Sequence, residues 1–242
     1  EEISSGTDWM PEIVILLPTK NEEEGIGEVI DRVPINAIEE MGYNPRIVVV
    51  DGFSTDSTCE IAEGRGAELI RQRSEPGKGW GFREAVQVLF NGREPAGEIL
   101  IMLDADATYS PEDLPRFIKE LEQNDVVWGS RLRGNIEKRA MSMTNLIGNK
   151  FLSLAASVIF LKRTTDLCTG YWGFRKTSLG DLELVAKGFN LEADLFGTIA
   201  MSGMKTKEIP IDYSHREGES TLRWYTDGPL ILSMLIRRRL FR

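Results

Sequence analysis

Ile99-Leu100-Ile101-Met102-Leu103-Asp104-Ala105-Asp106 is the stretch on which the fold of this chain turns. Its unbroken apolar half reads as a strand buried on both faces, and the two aspartates stand where the chain leaves the pleat. Carboxylates so spaced at a strand end converge on one hard divalent cation through oxygen ligands. The other reading is a solvated loop whose acids cap the helix begun by Ser110 and Pro111.

Upstream the same pattern recurs. Ile13 to Leu17, closed by Pro18, is a short β-branched run, and it leads into a helix with Ile26, Val29, Ile30 and Val33 on one face. Ile47 to Val50 is a third run, ending at Asp51. Ser57 with Glu60 makes a capping-box pattern and opens a short helix that stops near Gly66. A strand at Glu68 to Arg71 and a helix from about Gly79 to Phe90 follow. Downstream of the acidic pair come a helix carrying Leu114, Phe117, Ile118 and Leu121 and a strand at Val126 to Gly129. Strands alternating with helices predict an α/β fold with a mostly parallel sheet covered by helices on both faces. Such sheets bind ligands past the carboxyl ends of their strands. Thr19 to Glu22, Asp51 and Asp104 to Asp106 all fall there.

The second half is less regular. Asn145 to Leu161 is a long apolar helix candidate, interrupted by Gly148 and Lys150, that serves either as core or as an apolar landing for a lipid chain. A final amphipathic helix is expected from Pro229 to Arg242, after a cap at Asp227. At 1.5 Å per residue it is about 21 Å long, against a hydrocarbon core of about 30 Å, so it lies in a membrane interface and does not cross it.

Composition narrows the function classes. A length of 242 residues suits one domain with a full core. Cys59 and Cys168 match no metal or redox spacing and read as reduced thiols of a cytoplasmic protein. The single His215 excludes a multi-histidine metal centre. A formal charge of −9 argues against nucleic acid as a partner. Arg237, Arg238, Arg239 and Arg242 nevertheless form a basic tip, which points to a membrane surface with anionic heads. No signal peptide is recognised, and no apolar run approaches the roughly 20 residues of a spanning helix. The expected location is peripheral, on the cytoplasmic face of the cell membrane.

Polar clusters close the strands: Pro18-Thr19-Lys20-Asn21-Glu22, Asp51-Gly52-Phe53-Ser54 and Gly129-Ser130-Arg131. Singly each is a turn; together they line one edge of the sheet. In this combination the sequence resembles the family 2 glycosyltransferases of the GT-A (Rossmann-like) fold, and among them the dolichyl-phosphate and polyprenyl-phosphate sugar synthases of archaeal type. The resemblance runs from about Glu12 to Leu222. Downstream it takes in Arg131, Arg139, Asn149, Asp166 ahead of Gly170, and Arg216 with Gly218 and Ser220. It implies a lead at 1–11, a GT-A catalytic domain at 12–225 and an amphipathic helix at 226–242. It further implies that Pro18, Thr19, Asn21, Glu22 and Asp51 hold the nucleotide base and ribose, that Asp104 contacts the nucleotide, and that Asp106, with Asp104, ligates Mg²⁺ or Mn²⁺. Arg131 and Arg139 would meet the acceptor phosphate, and Arg216, with Ser220 nearby, the donor diphosphate. Guanidinium forks suit both tasks. Two places differ from the family pattern: Gly52 and Phe53 stand where many relatives have Asp-Gly, and Thr108 stands where mannosyl synthases often carry Gln.

The chemistry expected is a direct, inverting displacement. A hexose or N-acetylhexosamine passes from a nucleotide sugar, UDP-linked in preference to GDP-mannose, to a dolichyl or polyprenyl phosphate. A phosphate monoester, with its second pKa near 6, is already ionised at neutral pH and needs no strong base. A transferase acting on a hydroxyl would need one, with Asp166, Glu192 and Asp194 as candidates. That hydroxyl-directed enzyme is the nearest alternative, and a non-catalytic sugar- or lipid-binding module is the alternative outside enzymes. A sugar-1-phosphate nucleotidyltransferase would show a glycine- and arginine-rich loop where Thr19 to Glu24 is acidic. A dinucleotide oxidoreductase would have a third glycine where Ile30 stands. Gly77-Lys78-Gly79 lacks the rest of a P-loop and reads as a loop near the donor.

Overall fold

The structure is a computed structural model and describes residues 10–73, 75–90, 98–215 and 224–241. Its elements, in chain order, are β1 (Glu12–Thr19), α1 (Ile26–Asp31), α2 (Ile35–Glu40), β2 (Asn44–Asp51), α3 (Thr58–Gly64), β3 (Glu68–Arg71), α4 (Lys78–Phe90) and β4 (Ile99–Met102). Then come α5 (Leu114–Leu121), β5 (Val126–Ser130), α6 (Met143–Phe160), β6 (Trp172–Arg175), α7 (Lys176–Leu179), α8 (Leu191–Ser202), β7 (Thr206–Pro210) and α9 (Trp224–Leu240).

Because side chains alternate across a strand, each apolar run feeds two cores. Val14 and Leu16 of β1 join a cluster with Phe82 of α4, Phe196 of α8 and Leu235 of α9. Ile13, Ile15 and Leu17 join another with Ile26 of α1 and Phe117 of α5. Layers on both faces explain why no polar residue interrupts these strands.

Among the described residues the sheet has seven strands in the order β3-β2-β1-β4-β6-β5-β7. The alternation predicted a largely parallel sheet, and the pairs β1–β2, β1–β4, β2–β3 and β5–β7 are parallel. β6 is the departure, running against both β4 and β5. It therefore begins at the edge where its neighbours end: Trp172 pairs with Met102 on one side and Trp128 on the other. The residues just before β6 thus meet the outgoing ends of β4 and β5, on the same edge of the sheet where β1 and β2 end.

Three local expectations are corrected. Ser57 makes no side-chain cap for α3; its N–H instead donates to Glu23 Oε2 at 3.0 Å, and Asp56 Oδ1 receives the N–H of Thr58 at 3.0 Å. The last helix does not wait for Pro229 but starts at Trp224 and contains that proline, which leaves one intrahelical N–H missing. The basic tip is divided: Arg237 and Arg239 are exposed, whereas Arg238 turns inward to Asp194 and the carbonyl of Glu183.

The α6 helix is longer than the apolar run suggested. Its 18 residues are long and apolar enough to cross a membrane by length and composition. One face, with Asn149, Leu152, Ser153, Ala156 and Phe160, is nonetheless buried against α8 and α9.

Candidate functional site

The ends of β1 and β2 are sewn into one polar rim. The N–H of Gly52 donates to Thr19 O at 2.8 Å, and Thr19 Oγ1 donates to Val50 O at 3.3 Å. Asn21 Oδ1 accepts the N–H of Thr55 at 2.8 Å, Thr58 Oγ1 accepts that of Glu22 at 2.8 Å, and Asp51 Oδ1 accepts that of Ser54 at 2.9 Å. Asn21 and Phe53 sit at φ of 54° and 68°, in the left-handed region that side chains other than glycine seldom adopt. Backbone of this kind persists where the surroundings over-determine it, commonly at binding sites.

The acidic pair follows β4. Asp106 is buried, and its Oδ1 accepts both the N–H and the hydroxyl of Thr108, at 3.2 and 2.6 Å. Gly25 lets α1 approach this turn, since a Cβ there would lie 2.9 Å from the carbonyl oxygen of Ala105. Asp104 faces Lys78, whose Nζ donates to Asp104 Oδ1 at 2.6 Å and to Glu192 Oε1 at 2.7 Å. Burial would lower the lysine's pKa, but the two carboxylates outweigh it and hold the pKa above the ordinary value. Among the described residues no group of three or more His, Cys, Asp or Glu gathers into a protein-only metal cage. Asp104 and Asp106 fit a hard cation of another kind, one that takes one or two carboxylates and completes its shell with phosphate oxygens and water.

The opposite end of the site is built on Arg131 and Asp166. Asp166 is fully buried. Its Oδ2 accepts the backbone N–H and Nε of Arg131, each at 2.8 Å, and its Oδ1 accepts Arg131 Nη2 at 2.7 Å and Asn149 Nδ2 at 2.6 Å. With two donors on each oxygen the carboxylate is saturated. It fixes the guanidinium fork, which also lies 5.1 Å from the ring centre of Tyr213 and 5.9 Å from that of Tyr109. Glu208 of β7 anchors the neighbouring segment by accepting from Thr164 Oγ1, the N–H and hydroxyl of Thr165, and Trp128 Nε1. Arg139 is exposed on the same rim at φ 74°. Cys168, whose carbonyl accepts from Arg131 Nη2 at 2.8 Å, keeps its thiol protonated, because burial pushes it up to about 12.

One cavity of about 1150 Å³ joins the two ends. Pro18, Thr19, Asn21, Glu22, Asp104 and Asp106 line it at one side and Arg131, Arg139 and Asn149 at the other. Asp51 and Asp166 stand behind the lining and hold turn and arginine in place. Arg216 and Ser220, with Gly218, lie outside the described residues. Glu192 faces the cavity through Lys78. Asp194 does not: fully buried, it accepts the N–H groups of Val185 and Ala186, each at 2.6 Å, and pairs with Arg238.

Sequence reasoning gave Lys78 only a neighbourhood and missed Tyr109, Tyr213 and Glu208. The glycines around Lys78 were the available signal. For Tyr213 and Glu208 there was none, because their roles come from β7 and its exit returning beside β5; nor was there one for Tyr109, whose role comes from the distant Gly170 and Arg131 that it meets.

The family profile described as "Glycosyl transferase family 2" matches residues 14–182. Over 93% of its length the chain is 34% identical to "Glycosyltransferase AglJ" of Haloferax volcanii, spanning 71% of that protein. It is 33% identical to "Dolichyl-phosphate hexose transferase" of the same organism, spanning 93% of each. In fold it is similar to glucosyl-3-phosphoglycerate synthase from Mycobacterium tuberculosis, solved with Mn²⁺, uridine diphosphate and phosphoglyceric acid: the TM-score is 0.73 at 19% identity, over 96% of this chain and 80% of the other.

Proposed function

This chain belongs to glycosyl transferase family 2, and from that premise we propose that it moves a hexose or N-acetylhexosamine from a nucleotide sugar, UDP-linked in preference to GDP-linked, onto a dolichyl or polyprenyl phosphate with inversion. The carrying observation is a single cavity with a carboxylate pair at one end and two arginines at the other. The names of two relatives, a dolichyl-phosphate hexose transferase and an undecaprenyl-phosphate mannosyltransferase, support the acceptor class.

The residues divide the work between two polyanions. Thr19, Asn21 and Glu22, on the rim sewn to the Asp51 turn, receive the nucleoside. Asp104 and Asp106 would hold Mg²⁺ or Mn²⁺, which when bound supplies the positive charge that offsets a departing diphosphate. Arg131 and Arg139 bind and orient the acceptor phosphate. Its oxygen, ionised at neutral pH, attacks the anomeric carbon without a protein base. Asp166, saturated by four donors, acts by holding Arg131. Arg216 and Ser220, outside the described residues, keep their proposed place at the donor diphosphate.

The α6 helix lines this cavity through Asn145 and Asn149, and its opposite, exposed apolar face supports a peripheral position on a membrane surface, where the lipid chain of the acceptor lies. Radiolabelled UDP- and GDP-sugars offered with Mn²⁺ and a phosphorylated polyprenol test the reading. Label should pass into the organic phase only when the polyprenol carries its phosphate. Equal labelling of the unphosphorylated alcohol, or of a soluble sugar acceptor, would establish the hydroxyl-directed enzyme instead.

A further inference from the structure

Lys78 is placed with unusual care for a lysine in an open cavity. It opens α4 between two glycines, each pressed against the segment ahead of α8: a Cβ on Gly77 would lie 2.1 Å from Lys187 O, and one on Gly79 would lie 2.6 Å from Ala186 O. The backbone at residue 78 is thus fixed, while the side chain keeps a four-carbon stem with rotatable reach. Only 15% of that side chain is exposed, and its ammonium bridges Asp104 and Glu192.

Asp104 is also one of the two carboxylates that fit a divalent cation. It cannot give full charge both to the cation and to the ammonium, so a cation arriving there weakens the lysine's hold. A diphosphate arriving with it offers the ammonium a replacement partner in the same cavity. Resting on the donor reading above, we propose that Lys78 is a ligand of the donor diphosphate, parked between Asp104 and Glu192 until a divalent cation takes its place at Asp104. The lysine then serves two ends. It neutralises the acidic site when empty, and it adds a tethered cation to the diphosphate when loaded.

Two variants with opposite expected signs test this on the full chain, without reference to turnover. Lys78→Met removes the competitor: Mn²⁺ binding without nucleotide, read by electron paramagnetic resonance, should tighten about tenfold, while UDP binding in saturating Mn²⁺, read by calorimetry, should weaken about tenfold or more. Glu192→Gln keeps the ammonium but loosens its parking, so UDP should bind as tightly as to wild type or more tightly. Unchanged UDP and Mn²⁺ affinities in Lys78→Met would overturn the proposal while leaving the donor reading intact. Should that variant fail to fold, weaker UDP binding by Glu192→Gln would overturn it as well. A wild type that binds neither UDP nor GDP overturns the donor reading and this proposal together.

Discussion

Gly170 gives Asp104 its room: a Cβ there would lie 2.3 Å from Asp104 Oδ2 and 2.6 Å from its Cγ. The N–H of Gly170 is pinned by Tyr109 Oη at 2.8 Å, so the backbone cannot retreat and the carboxylate must move. Misplacing a site group by about an ångström costs roughly 100-fold in rate. Gly170→Ala is therefore expected to lower kcat/KM by about 10- to 100-fold and to weaken Mn²⁺ binding, with a melting temperature close to wild type. A variant that melts early and binds Mn²⁺ normally would move Gly170 from the site to the scaffold.

Between elements, Arg32 at the end of α1 holds Glu112 ahead of α5, with Nε and Nη2 donating at 2.9 and 3.0 Å. Burial would raise the Glu112 pKa, but the hydrogen bonds from Arg32, Ser110 and the backbone, with the charge of Arg32, together outweigh it and bring the pKa down from 4.5 to about 2. A depressed folded-state pKa stabilises above the unfolded value and loses that contribution as the pH falls toward the folded one. Glu112→Gln should accordingly flatten the fall of melting temperature between pH 4.5 and about 2, with an effect kept small by solvent on this half-exposed pair. The strands that β-branched runs announced, such as β1 at Glu12–Thr19 and β2 at Asn44–Asp51, were legible because local pattern and burial agree. β6 was not. Trp172-Gly173-Phe174-Arg175 is too short to carry a periodicity, and its direction depends on partners some 45 and 70 residues upstream, which local propensity does not encode. The acidic pair and the rim of β1 and β2 could be read for the same reason as their strands. The tyrosines around Arg131 and the Asp194–Arg238 pair could not, since they join segments remote in sequence.

At the scale of the whole molecule, α6 presents an open apolar stripe. Met143, Ile147, Phe151, Leu154 and Val158 recur every third or fourth position and are each more than 60% exposed. Lys150 and Arg163, with Arg237 and Arg239 of the adjacent α9, are exposed too, giving cations to a chain whose net charge is −9. An apolar face flanked by cations suits the surface of an anionic bilayer. Changing Ile147 and Phe151 together to Ser should reduce flotation with phosphatidylserine-containing vesicles by roughly tenfold or more, given about 1.5–3 kcal/mol for each buried side chain. Equal flotation of the variant and wild type would remove α6 from the membrane contact.

The reversed strand bears on how the protein is made. Among the described residues β5 has only β6 and β7 as neighbours, and both leave the ribosome after it, whereas β1, β2, β3 and β4 can pair as soon as they emerge. Asp106 thus finds Thr108 and the Gly25 turn early in synthesis, while Asp104 waits for Gly170 and Glu192 to complete its surroundings and Arg131 for Asp166 and the strand behind it. A nascent chain halted in that interval carries bare edges on β4 and β5, each ready to join another copy, so the span before residue 172 is the stretch of translation in which this chain most needs a chaperone.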